Sequence, residues 1–117
     1  MRADLNCCLI AVRLAISYAE LCAKEVPIRT AAFCRSQDSA LRAIDRIEFY
    51  YDEIVADRTT VGGVAPHARS LRMLREIVMK AKELRAALSG APPYIERRLG
   101  SLQRALDRAT ASNLTAF

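Results

Sequence analysis

The positions of proline and glycine constrain the fold of this chain more than any other feature of its sequence. Proline disfavours helix at the residue before it, and glycine favours helix ends. All four prolines and three of the four glycines fall at three sites, namely Pro27, then Gly62, Gly63 and Pro66, and finally Gly90, Pro92 and Pro93. These sites divide the chain into four stretches, and each stretch has helical periodicity and is rich in strong helix formers.

The four stretches predict an all-α four-helix bundle. We place the helices near 3–26, 37–58, 66–89 and 93–111, and a chain of 117 residues is expected to form one domain over 1–117. Ser36 is the predicted N-cap of the second helix, with Asp38 in its first turn. Pro66 and Pro93 suit first-turn positions, and residues 28–35 could add a short helical turn.

The second, third and fourth helices each have one apolar face, as expected of amphipathic helices that bury a single stripe. The predicted core positions are Ala40, Leu41, Ile44, Ile47, Tyr51, Ile54 and Val55 in the second helix, Leu71, Leu74, Ile77, Val78, Ala81, Leu84 and Leu88 in the third, and Ile95, Leu99, Leu102, Leu106 and Ala109 in the fourth.

The first helix is apolar on nearly all sides, so it must be covered on most of them. One flank carries Leu5, Cys8, Leu9, Val12, Ile16, Ala19 and Cys22, and the other carries Cys7, Ile10, Leu14, Tyr18 and Leu21. Two explanations fit the second flank. Residues 28–35, with Ile28 and Phe33, could fold back over it, or it could pair with a second copy of the chain. We expect a homodimer, with self-association through Leu14, Tyr18 and Leu21.

The composition argues against catalysis. The single histidine, His67, excludes His-rich metal sites, and four glycines leave none for a phosphate-binding loop. No nucleophile has a base at a recognisable spacing, and adjacent acidic residues such as Asp52 and Glu53 diverge on a helix. We therefore expect no enzyme activity, no metal and no cofactor.

The cysteines and the first apolar stretch bear on the cellular location. No two of the four cysteines form a Cys-x-x-Cys pair, so we interpret them as buried thiols without disulfides. They are Cys7, Cys8, Cys22 and Cys34. Arg13 and Glu20 interrupt the apolar stretch near the N-terminus, which argues against a signal peptide or a membrane span. The sequence thus predicts a cytoplasmic protein that does not contact a membrane.

Positive charge is concentrated in the second half of the chain. The formal net charge is +5, with −1 over residues 1–65 and +6 over residues 66–117. Arg97, Arg104 and Arg108 are spaced by seven and four residues, which places them on one ridge of the fourth helix. This basic ridge could bind an acidic protein surface or a nucleic-acid backbone. Acidic residues interleave the basic ones, and helix pairs such as Arg72–Glu76 and Glu76–Lys80 would neutralise part of the charge.

Phe49 falls on the polar side of the second helix, near Arg42, Arg46 and Glu53. An exposed aromatic side chain beside arginines is typical of an interface anchor, although packing beneath a neighbouring loop would also explain it. We therefore expect a non-enzymatic adaptor, regulator or inhibitor that binds an acidic protein surface through Phe49 and the basic ridge. The alternative is a protein that binds nucleic-acid backbone through its third and fourth helices.

Overall fold

The computed structural model describes residues 2–24, 31–60, 68–90 and 92–111. Within these ranges the chain forms four α-helices and no strand, which confirms the predicted fold class. The helices are α1 (Arg2–Lys24), α2 (Ala31–Thr60), α3 (Ala68–Ala87) and α4 (Pro92–Ala111). Pro93 lies in the first turn of α4 as predicted, whereas Pro66 lies outside the described residues.

The helices form a closed ring in which each packs against two others. α1 contacts α2 and α4, and α3 contacts the same two helices from the other side. Consecutive helices are antiparallel. Arg85 of α3 contacts Asp45 of α2, while Leu88, further along the chain, accepts a hydrogen bond from the earlier residue Gln37. α2 and α4 therefore lie diagonally across the bundle, and their outer faces point in opposite directions.

The core is built from the predicted apolar faces. All seven predicted positions of α3 are buried, and so is the whole first flank of α1. In α2 and α4 the predicted residues are buried apart from Leu41, Tyr51, Val55 and Leu99, which are half-buried. Helical periodicity was sufficient here because each stripe repeats for the full length of its helix.

α2 begins earlier than predicted. Ser36 and Asp38 lie inside the helix, so the predicted N-cap and first-turn positions are wrong. The physical reason is Phe33, which is only 4% exposed and lies seven residues before the buried Ala40, on the same face. Burial of this aromatic side chain extends the apolar stripe by two turns and outweighs the local capping signal of Ser36. Asp38 instead forms a salt bridge with Arg42 one turn further on, at 3.6 Å.

Interhelical ion pairs fix α4 and α2 against α3. Glu76 pairs with Arg108 of α4, so the predicted pairs of Glu76 with Arg72 and Lys80 are replaced by a contact between helices. Lys80 lies 3.6 Å from Glu83, whose carboxylate also lies 3.6 Å from Arg98 of α4. Four basic side chains of α3 and α4 are therefore paired within the described part of the bundle, namely Lys80, Arg85, Arg98 and Arg108.

Candidate protein-binding face

The second flank of α1 is exposed rather than covered by the neighbouring helices. Ile10, Leu14 and Leu21 are 54%, 38% and 47% exposed, and we call these three residues the outer stripe. Tyr18 is half-buried and packs against the core. The explanation that residues 28–35 fold back over this flank is wrong for Phe33, because Phe33 belongs to α2 and packs inside the bundle. Ile28 lies outside the described residues.

A groove runs between α1 and α2 beside this stripe. It has a volume of about 150 Å³ and is lined by Leu14, Tyr18, Ser39, Arg42, Ala43 and Arg46. The antiparallel packing of the two helices brings these residues together. One contact that sets their register joins the Cys8 thiol to the carbonyl oxygen of Ile47, at 3.8 Å. Apolar side chains and two arginines, without any acidic side chain, therefore line the groove.

Phe49 extends the same surface. It is 58% exposed and lies one turn after Arg46 on α2. Its ring meets the edge of the Tyr50 ring, with the centroids 5.5 Å apart and the planes at 75°. We call Leu14, Tyr18, Arg42, Arg46 and Phe49 the α1–α2 face. Arg46 has no ion pair in the part of the chain that the structure describes, so its charge is available to a partner.

The basic ridge is a separate surface. Arg97, Arg104 and Arg108 are exposed on α4, diagonally across the bundle from Phe49. Arg108 pairs with Glu76, and Arg104 lies 3.4 Å from the Ser101 hydroxyl. The structure thus places Phe49 and the basic ridge on different sides of the bundle, and it brings Arg46, one turn before Phe49, together with Leu14 and Tyr18, which were predicted for self-association. The sequence could not indicate this, because the order of helices around the ring is a tertiary property.

The thiols differ in exposure. Cys8 and Cys22 are buried as predicted, Cys7 is half-buried and Cys34 is exposed, which differs from the prediction. Cys34 follows Phe33 directly, and Phe33 occupies the inward position. Burial raises the pKa of the Cys8 thiol to about 12, and a coulombic interaction with the neighbouring Cys7 adds to this. Such a thiol is a poor nucleophile.

Two further features of the described residues concern metal binding and open clefts. Within the described ranges, no group of three or more His, Cys, Asp or Glu side chains could hold a metal ion. His67 lies outside those ranges. The sequence did not predict an open cleft of about 340 Å³ at the turn between α3 and α4, lined by Glu83, Ala86, Ala87, Gly90, Tyr94 and Arg98. Its residues come from both sides of the turn, so periodicity on one helix could not reveal it.

α1 is long and apolar enough, by length and composition alone, to cross a membrane. The stretch Leu5–Lys24 has a mean hydropathy of 1.5, and half of it is buried inside the bundle. A core helix of a bundle satisfies the same criterion, so this property does not distinguish the two. Comparisons with protein-family models, with curated proteins and with solved structures find no match for the chain.

Proposed function

We propose that this chain is a non-enzymatic interaction protein whose α1–α2 face binds an acidic segment of another protein. The observation that carries the proposal is a groove that combines two arginines with the side chains of Leu14 and Tyr18, together with the exposed Phe49 one turn beyond Arg46 on α2. Exposed aromatic and arginine side chains are the residue types that contribute most to binding at protein interfaces. Binding of this kind suits an adaptor, a regulator or an inhibitor in the cytoplasm.

The chemistry of the face defines the partner. Tyr18 and Leu14 offer an apolar wall, so the partner presents apolar side chains that enter the groove. Arg42 and Arg46 flank that wall, and a guanidinium group binds a carboxylate through two parallel hydrogen bonds. Arg42 already pairs with Asp38, but both side chains are well exposed, and such a pair contributes little to stability. An amphipathic helix with Asp or Glu beside its apolar ridge satisfies both requirements.

A pair of matched peptides tests this proposal directly. Both carry leucines on one helical face, and the flanking positions are glutamate in one peptide and lysine in the other. We expect the glutamate peptide to bind, because its carboxylates meet Arg42 and Arg46, and the lysine peptide to bind much more weakly. Fluorescence anisotropy at two salt concentrations measures both. Equal binding of the two peptides, or no binding of the glutamate peptide, contradicts the proposal.

Substitutions then locate the binding surface. Arg46→Glu replaces attraction with repulsion and is expected to weaken binding about tenfold or more. Phe49→Ala removes the exposed aromatic anchor and is expected to weaken binding as well. Arg97→Glu is the matched control, since it reverses an equally exposed arginine on the opposite side of the bundle. A loss of binding in the Arg97 variant equal to that in the Arg46 variant would indicate a non-specific charge effect.

The second candidate is binding to a nucleic-acid backbone through the basic ridge. Arg97 and Arg104 support it, since neither pairs with a carboxylate in the described part of the chain, whereas the pairing of Arg108 with Glu76 weakens it. Titration with DNA and RNA compares the unmodified chain with a variant carrying Gln at all three positions. This candidate requires a uniform loss of affinity and a salt slope lower by about one unit per lost phosphate contact.

A further inference from the structure

We infer that the outer stripe of α1 packs against the outer stripe of a second copy of this chain, with the two α1 helices antiparallel. This inference goes beyond the proposed function, because it concerns the outer surface of α1 and the charges on the side that faces α4. Leu14 alone belongs to both surfaces. The spacing of the apolar side chains and the placement of two opposite charges support the inference independently.

The spacing is that of paired helices. The outer stripe belongs to a longer seam, in which successive residues are separated alternately by three and four positions. This is the repeat by which two helices pack together. The seam consists of Cys7, Ile10, Leu14, Ser17 and Leu21. Four of the five are exposed, and Cys7 is half-buried. The stripe faces away from the core, so another helix can approach it along its length. Ser17, a small residue near the middle, allows close approach of the two backbones.

Two opposite charges flank the outer stripe. Arg13 and Glu20 lie on the side of α1 that faces α4, where both line the cleft between these helices. Both side chains are exposed, and neither forms an ion pair within the ranges that the structure describes. They are seven residues apart, about 10 Å along the helix, so they cannot reach each other within one chain.

Antiparallel pairing satisfies the charges and the apolar residues together. A twofold axis between residues 16 and 17, about one turn past the middle of α1, places Arg13 beside Glu20 of the second copy, and it repeats the same pair on the other side of the axis. The axis that pairs these charges best lies midway between residues 16 and 17. The axis that sets Ile10 against Leu21 of the second copy lies midway between residues 15 and 16, about 1.5 Å away. In a parallel pair, by contrast, the twofold axis runs along the seam and places the charged sides of the two helices on opposite sides of it, so Arg13 and Glu20 do not meet across the interface.

A charge-reversal experiment tests this arrangement. Arg13→Glu and Glu20→Arg are both substitutions at exposed positions, so the fold is expected to tolerate them. Each variant alone places like charges together twice in the dimer, and we expect dimerisation to weaken about tenfold or more. In a mixture of the two variants, both acidic side chains of one copy meet both basic side chains of the other. The mixture should therefore form a heterodimer as stable as the unmodified dimer, and the double variant should dimerise normally as well.

Sedimentation equilibrium measures all five samples, and circular dichroism confirms that each keeps its helicity. A monomeric unmodified chain at high micromolar concentration overturns the inference. Single variants that dimerise as well as the unmodified chain overturn it too, because the two charges then do not meet. Leu14→Glu provides a further check, since a charge within the outer stripe should give a helical monomer.

The outcome can be separated from that of the proposed function. The peptide titration is repeated with the Arg13→Glu variant, whose substitution lies away from the groove. An unmodified chain that sediments as a monomer and still binds the glutamate peptide overturns only the dimer. A dimer that does not bind the peptide overturns only the proposed function.

Discussion

At the scale of single residues, Cys8 at the α1–α2 contact couples the stability of the bundle to alkaline pH. The Cys8 side chain is completely buried, and its thiol points at the Ile47 carbonyl of the neighbouring helix. Burial disfavours the charged thiolate and raises the pKa of Cys8 from 9.0 to about 12, with Cys7 adding to the shift. Folding therefore requires the neutral thiol at this position.

Alkaline pH should remove a defined part of the stability. Below pH 9 the Cys8 thiol is neutral in both the folded and the unfolded chain, so its ionisation does not change the free energy of unfolding there. Between about pH 9 and pH 12 the unfolded chain loses this proton while the folded chain keeps it, and the stability falls as pH rises. The Cys8→Ala variant lacks this ionisation. We expect the difference in unfolding free energy between the two proteins to shrink above pH 9, by about 1.4 kcal/mol per pH unit.

Urea unfolding of both proteins at neutral pH and at several values above pH 9 provides the measurement. Titrating groups other than Cys7, which interacts with Cys8, are common to the two proteins and cancel in the comparison. A difference that stays constant across this range would show that the Cys8 thiol ionises equally in the folded and unfolded chain.

At the scale of single elements, α4 contains an interior glycine that lowers the stability of the helix. Gly100 lies in the interior of the helix, where glycine lowers stability relative to alanine. A Cβ at this position would meet only the Arg104 guanidinium group, 3.4 Å away at the end of a flexible side chain. Gly100→Ala should therefore raise the free energy of unfolding by about 0.5–1 kcal/mol, which thermal and urea unfolding can measure.

Gly90 is the matched control for this substitution. It follows α3 in the turn, where its amide donates to the Ala87 carbonyl at 2.9 Å. A Cβ there would lie 3.3 Å from that same backbone oxygen, which is a tight contact. Gly90→Ala should bring no gain or a small loss of stability. An equal gain from both substitutions would mean that the effect arises in the unfolded chain rather than in α4.

The elements also show what can be predicted from the sequence and what cannot. The stripe from Leu71 to Leu88 is periodic along all of α3, so both its existence and its buried face follow from the sequence. The start of α2 does not, because Ser36 provides a local signal that the distant packing of Phe33 overrides. Ile10 illustrates a further limit. Its position on the second flank of α1 follows from helical periodicity. Whether other parts of the chain cover that flank depends on tertiary packing, which the periodicity does not give.

At the scale of the whole molecule, the position of the proposed twofold axis determines the shape of the dimer. The bundle measures 52 × 22 × 18 Å, and the axis crosses α1 about one turn past its middle. The dimer should therefore be two bundles side by side, with its longest dimension well short of twice 52 Å. Small-angle scattering over a concentration series measures this. A longest dimension close to twice that of the monomer would indicate end-to-end association and contradict pairing through α1.

The closed ring has a consequence for how the protein is made. Ile16 of α1 and Leu106 of α4 line the same cleft, although about 90 residues of chain separate them. During synthesis α1 emerges from the ribosome well before α4, so the flank around Ile16 stays uncovered until the fourth helix has been translated. A nascent chain at that stage exposes apolar surface on two sides of α1, which makes it a substrate for chaperones and prone to aggregation. If translation stalls before α4, this surface of α1 remains uncovered.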